Sequence, residues 1–178
     1  MGCPTNIVPG YTDTSKIKNP GLEMKLEKEF AYHKTQIPAT ISTYRQVAKE
    51  HFGNIPPSDV LDFGAGLGVG TREFGFDSYE PFPQRGLEKY GWTPDYTEPG
   101  QINKEYKGLI SNAVLNVIPN VNGERDAAVR AIGKSLAPGG KGFVAARGKA
   151  FLKELQNPEP YGDGVVTFSD DLMSYREL

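Results

Sequence analysis

Apolar residues along the chain fall into two rhythms. In "NPGLEMKLEKEFAYHK", Leu22, Leu26 and Phe30 recur at i, i+4 and i+8 with charges elsewhere, which predicts a short amphipathic helix. A second helix is predicted from Pro38, a residue suited to a first turn; Ile41, Tyr44, Ala48 and Phe52 share one face and Gly53 supplies the stop. "NIPPS" reads as a loop. The texture then changes: "DVLDF" is a short apolar strand, "GFDSYEP" holds a second ending at Glu80, and "YKGLISNAVLNVIPN" offers a third apolar run. "ERDAAVRAIGKSLAPGG" predicts a helix with Val129, Ile132 and Leu136 on one face, stopped by Pro138, Gly139 and Gly140. "KGFVAARG" follows as a strand, "KAFLKELQ" as a helical stretch and "GVVTFSD" as a last strand.

Strands alternating with helices predict an α/β fold, doubly wound on a mostly parallel sheet. We divide the chain into an extended arm rich in Pro, Gly, Thr and Asn (1–20), a helical cap (21–56) and a core (57–178), one domain overall. A length of 178 residues suits a single core. Net charge is −2, which argues against broad electrostatic binding to nucleic acid while leaving room for a local basic patch. Cys3 is the sole cysteine, so a disulfide framework within the chain is impossible and a cysteine-based zinc site is not expected. A reducing, cytoplasmic setting is the simplest expectation. No apolar run approaches a membrane span, and the N-terminal residues lack the basic and apolar regions of a signal peptide. Met1-Gly2 opens a myristoylation pattern, but Asn6 stands where that pattern needs Ser or Thr.

The most informative stretch is "VLDFGAGLGVG", Val60 to Gly70. A P-loop needs a Lys after its glycines, and none follows at that spacing. A dinucleotide loop needs a third glycine three positions after the second, but Val69 or Thr71 stands there, depending on the starting glycine. Asp62, just before the first glycine, would also repel a pyrophosphate. The same acid suits a cationic ligand, and glycines without a Cβ let that ligand lie against the backbone. S-adenosylmethionine, with its ammonium, sulfonium and adenosine, has the required character.

Asp62 to Gly68 resembles the first motif of Rossmann-like, class I S-adenosylmethionine-dependent methyltransferases. Further likenesses follow in order. "FDSYEP" is similar to their second motif, whose acid, here Glu80, bonds the ribose hydroxyls and needs no metal to do so. "LISNAVLNVIP" resembles the fourth motif, lining the methyl-transfer centre, and "LAPGGKGFV" the turn into strand five. The resemblance spans Val60 to Arg147, about half the chain. It implies the Rossmann-like methyltransferase sheet, S-adenosylmethionine as cofactor, and a cofactor site of Asp62, Gly64, Ala65, Gly66, Glu80, Pro81, Asn112 and Ala113. It also implies methyl transfer by in-line displacement to a nucleic-acid base or a small molecule.

The chain departs from the family in places. "VGTREFG" leaves little room for the usual long first helix. The third motif is not obvious, with Asp95 its candidate, and the C-terminal strand pair is expected to be reduced or absent. Ser111-Asn112-Ala113-Val114 lacks the Pro-Pro-aromatic run of the amino methyltransferases of DNA. Catalytic candidates are Asn112, against a role as a structural cap, and His33 and Lys34 in the segment before the second helix, against simple exposure at a helix end. Phe82 could flank an adenine or pack in the core, and His51 reads as structural near a helix C-terminus. A base is needed only where the acceptor must lose a proton, so the acceptor stays open. Two rival readings keep the cofactor: a protein that degrades it, and a non-catalytic subunit that binds it within a larger homo- or hetero-oligomer.

Overall fold

The computed structural model describes residues 41–118, 120, 123–146, 159–161, 164–169 and 172–177. The expected arm, the helix carrying Leu22 and Phe30, His33, Lys34 and the "KAFLKELQ" stretch lie outside these residues. The chain divides into two compact units: one of Gln36–Leu115 with Ala127–Ala146, the other of Met1–Thr35, Asn116–Asp126 and Arg147–Leu178.

The first unit is built on four parallel strands: β1 (Val60–Phe63), β2 (Asp77–Tyr79), β3 (Tyr106–Asn112) and β4 (Leu136–Ala145), in the order β2-β1-β3-β4. Helix α1 (Ile41–His51) precedes the sheet, α2 (Val69–Phe74) joins β1 to β2, α3 (Gln84–Tyr90) follows β2, and α4 (Glu124–Ser135) leads into β4. The parallel α/β expectation therefore holds. Outside β2, a single parallel bridge between Tyr79 and Tyr96 extends the sheet. Asp95 secures it: its Oδ2 accepts bonds from the Ser78 amide and hydroxyl, both 2.8 Å.

All four residues of β1 are buried, as in a strand covered on both faces. Alternation sends Val60 and Asp62 to one face and Leu61 and Phe63 to the other. Val60 and Ile110 pack with Tyr44, Val47 and Phe52 of the α1 segment and with Val69 and Phe76. Leu61, Phe63 and Leu109 pack with Tyr79, Tyr106 and Ile132. Tyr44 thus belongs to the core, and its polar end shares a face with Asp62.

Helix α2 has six residues, in keeping with the short first crossover expected. Helix α4 differs from expectation in face and in end. Val129 is 49% exposed, while Ala128, Ala131 and Ile132 pack on the sheet and Ser135 is buried. That stripe has the spacing i, i+3, i+4, i+7, and its small residues carry little of the apolar signal that made Val129 conspicuous. The helix ends at Ser135, so Pro138, Gly139 and Gly140 stand inside the span of β4 and are not its stop.

The second unit contains an antiparallel sheet of β5 (Glu159–Tyr161), β6 (Gly164–Ser169) and β7 (Leu172–Glu177), in that order. Among the described residues no antiparallel strand joins the parallel sheet, and these three form a sheet of their own. The three-residue β5 is too short, and too rich in Glu and Pro, to signal a strand by composition. Among the described residues, no helix is long and apolar enough to cross a membrane.

Candidate cofactor site

The C-terminal ends of β1, β2 and β3 bring together the expected cofactor residues. After Phe63 the chain turns at Gly64, with φ +81°. A Cβ at Gly64 would lie 2.4 Å from a methyl of Val114, so this position needs glycine for its backbone and for the close approach of the turn after β3. Ala113 in that turn has φ +60°, an uncommon conformation for alanine, and its amide donates to the Ala145 carbonyl at 2.8 Å. Asn112, the last residue of β3, is half-buried beside it.

Four amides of this loop already have acceptors inside the protein. Those of Gly64 and Ala65 both donate to the Tyr79 carbonyl, at 2.8 and 3.0 Å, and that of Gly68 donates to the Ala65 carbonyl at 2.9 Å. The Gly66 amide donates to Glu80 Oε2 at 2.7 Å. These four amides are therefore not available to a phosphate or pyrophosphate.

Glu80 follows β2 directly and is 4% exposed. Its Oε1 accepts from the Phe82 amide at 2.9 Å, so both oxygens are oriented by backbone. A carboxylate held this way is an acceptor of the kind that paired hydroxyl donors need. Pro81 and Phe82 are half-buried at the start of the segment leading to α3.

Asp62 is placed differently. It is 0% exposed, and its Oδ1 accepts the Tyr44 hydroxyl at 2.9 Å. Its Oδ2 faces Gly70 in the first turn of α2, where a Cβ would lie 2.3 Å away. The Gly70 amide exerts only a small pull on the acid and closes no hydrogen bond of ordinary geometry with Oδ2. Burial pushes the Asp62 carboxyl up to about 7 against the opposing pull of the Tyr44 bond, and the charge of Glu80 adds to the rise. Burial, with the charge of Asp62, pushes the Tyr44 phenol well up in turn.

Trp92 completes the wall behind the loop. A Cβ at Gly68 or at Gly86 would come 2.4 or 2.6 Å from its ring, so both glycines admit the indole. Asp95, the candidate for the third motif, has its carboxylate on Ser78.

No protein-family model matches the sequence, and no curated protein matches it. Solved structures similar to this chain include an N-methyltransferase, NodS from Bradyrhizobium japonicum WM9 in complex with S-adenosyl-L-homocysteine. It shares 15% identity over 88% of this chain and 96% of its own, with a TM-score of 0.46. A DhpI–SAM–HEP complex shares 16% over 90% of this chain and 83% of its own, with a TM-score of 0.43. DesVI of Streptomyces venezuelae shares 16% over 79% of this chain and 65% of its own, with a TM-score of 0.39.

Sequence reasoning did not find Tyr44, Val114 or Trp92 as parts of the site. Tyr44 was read on the apolar face of a helix, and Val114 within the fourth-motif run without a role of its own. A tyrosine on a buried stripe does carry one signal, since its hydroxyl needs a partner once buried.

Proposed function

We propose that the chain binds S-adenosylmethionine at the ends of β1, β2 and β3 and transfers its methyl group to a small molecule or a nucleic-acid base. The observation that carries this reading is Glu80: a buried carboxylate beside the glycine loop, with both oxygens oriented by the Gly66 and Phe82 amides. Such a group suits the two hydroxyls of a ribose.

When bound, S-adenosylmethionine supplies an electrophilic methyl on a cationic sulfur, with a neutral leaving group. The chain's own residues bind and exclude water. Glu80 would accept hydrogen bonds from the ribose hydroxyls, while Gly64, Ala65 and Gly66 offer backbone without bulk. Pro81 closes the end of β2. Asn112 and Ala113 border the acceptor side, where the Asn112 amide orients the acceptor by hydrogen bonds. The carboxyl of Asp62 makes the ground beneath the loop negative, which favours a cation above it.

The acceptor and the degree of catalysis are tested together. Calorimetric titration and thermal shift with S-adenosylmethionine come first; absence of both heat and stabilisation at millimolar ligand overturns the reading. Methyl-labelled cofactor is then offered with nucleic acid and with small amine or hydroxyl acceptors, and transfer of label identifies the class. A second reading, a cofactor-binding subunit without its own acceptor chemistry, is favoured by β4. It is an edge strand with Val144 exposed and, among the described residues, no neighbour beyond it. In that case the label stays on the cofactor until a partner chain is added.

A further inference from the structure

The carboxyl of Asp62 is clamped between two helices, α1 before the sheet and α2 at the far end of the glycine loop. On one side is the Tyr44 hydroxyl, from a side chain 1% exposed and stacked on Phe74 with ring centroids 6.3 Å apart. On the other is Gly70, so close to Oδ2 that no side chain fits there. The glycine loop runs from Asp62 to Gly70, so both ends of the loop meet at this one carboxyl. Among the described residues, the titratable groups acting on it are Tyr44 from α1 and Glu80 from the end of β2; α2 contributes only the Gly70 backbone.

Resting on the cofactor reading above, we propose that Tyr44 is a positioning residue that acts through Asp62, its hydroxyl holding the buried carboxyl ionised and thereby setting the loop in the form that receives a cationic ligand. The chemistry is asymmetric. An ionised carboxylate only accepts, so Tyr44 must donate, and the observed bond satisfies the hydroxyl and Oδ1 while Oδ2 stays buried without a hydrogen bond of its own. A protonated carboxyl gains a donor that must find an acceptor in a space closed by Gly70, and the loop has to shift to provide one. Loss of the negative charge also removes its attraction for a cation above the loop. Glu80 feels the change directly, because it bonds Gly66 in the middle of the same loop. Tyr44 therefore couples α1 to cofactor binding without touching the ligand.

The test uses Tyr44→Phe, which keeps the ring and its packing, and Asp62→Asn, which removes the ionisation. In the ligand-free full chain, the amide resonances of Gly66, Gly68 and Gly70 are followed from pH 5 to 9. The wild type should titrate with a midpoint near 7. In Tyr44→Phe the midpoint should move upward, because the bond that opposes burial is gone, and in Asp62→Asn the transition should vanish. Calorimetric titration with S-adenosylmethionine at pH 7.5 should show Tyr44→Phe weakened roughly tenfold, and largely restored at pH 9. Identical titrations and affinities in wild type and Tyr44→Phe, with both variants folded by circular dichroism, overturn the proposal. If Tyr44→Phe fails to fold, Asp62→Asn decides: a loop transition that persists without the carboxyl is equally fatal. A wild type that binds no cofactor but titrates as described sinks the cofactor reading and the ligand half of this inference. It leaves the Tyr44–Asp62 coupling demonstrated.

Discussion

The two ends of the parallel sheet use acidic residues in opposite ways. At the N-terminal ends of the strands, acids meet side chains of opposite charge in reach of water. Lys107 donates to Asp59 at 2.9 Å and is itself well exposed, while Lys104 reaches Asp77 at 3.2 Å and the Ser58 carbonyl. Tyr106 donates to Asp77 at 2.8 Å and its hydroxyl meets that of Tyr96. At the C-terminal ends, Asp62 and Glu80 are enclosed, held by a tyrosine hydroxyl and by backbone amides. The first arrangement staples strand starts at little cost. The second keeps two negative groups in a low dielectric beside a glycine turn, an expensive arrangement that a bound cation and hydroxyl donors would relieve.

The comparison breaks first at Glu80. Glu80→Gln should weaken S-adenosylmethionine binding roughly 100-fold by calorimetric titration, because charged hydrogen bonds of about 1.5–3 kcal/mol each are lost. A change under twofold would mean that this end of the sheet is not a ribose site. Next in size is Gly64→Ala. The added Cβ meets Val114 at 2.4 Å with φ at +81°, and we expect a loss of about 2 kcal/mol in urea unfolding. Val114→Ala in the same chain should return part of that loss, and simple additivity of the two would deny the contact.

Smaller effects separate the two ends by sign. Asp62 has a folded-state pKa raised to about 7, so the folded chain binds the proton more tightly than the unfolded one. Its contribution to stability is fully present below pH 4 and declines as pH rises to about 7. Asp62→Asn should flatten that slope in ligand-free melts between pH 4 and 7, and an unchanged slope would count against an ionisable buried acid. Asp59 behaves in reverse: the Lys107 bond holds its carboxyl below the usual range, so its contribution is present at neutral pH and fades as pH falls below about 4. Lys107→Ala should be the weakest of the set, with a melting temperature close to wild type and the remaining difference erased by high salt, as for other exposed pairs. A large effect there would erase the contrast between the two ends.

Much of this was legible in the chain. The apolar runs of β1 and β3 and the glycine turn between Asp62 and Gly68 are dense local signals, and Glu80, directly after the short β2, marks a strand end. The face of α4 was misjudged because Ala128 and Ala131 are small, and closeness to a sheet favours small residues without announcing it. The backbone of the turn at Ala113 was not legible either: nothing in alanine foretells its positive φ, which goes with a bond from its amide to Ala145.

The amino-acid sequence by itself determined the alternation of strand and helix, the bare backbone of the loop, and which acids stand at the strand ends, since each depends on neighbours within a few residues. Only the tertiary structure decided that Asp62 faces Tyr44, that Val114 lies on Gly64, and that the loop amides are already bonded to Tyr79 and Glu80. Those contacts join residues from separate elements, up to 50 positions apart, and the pairing of strands, not local pattern, brings them within reach.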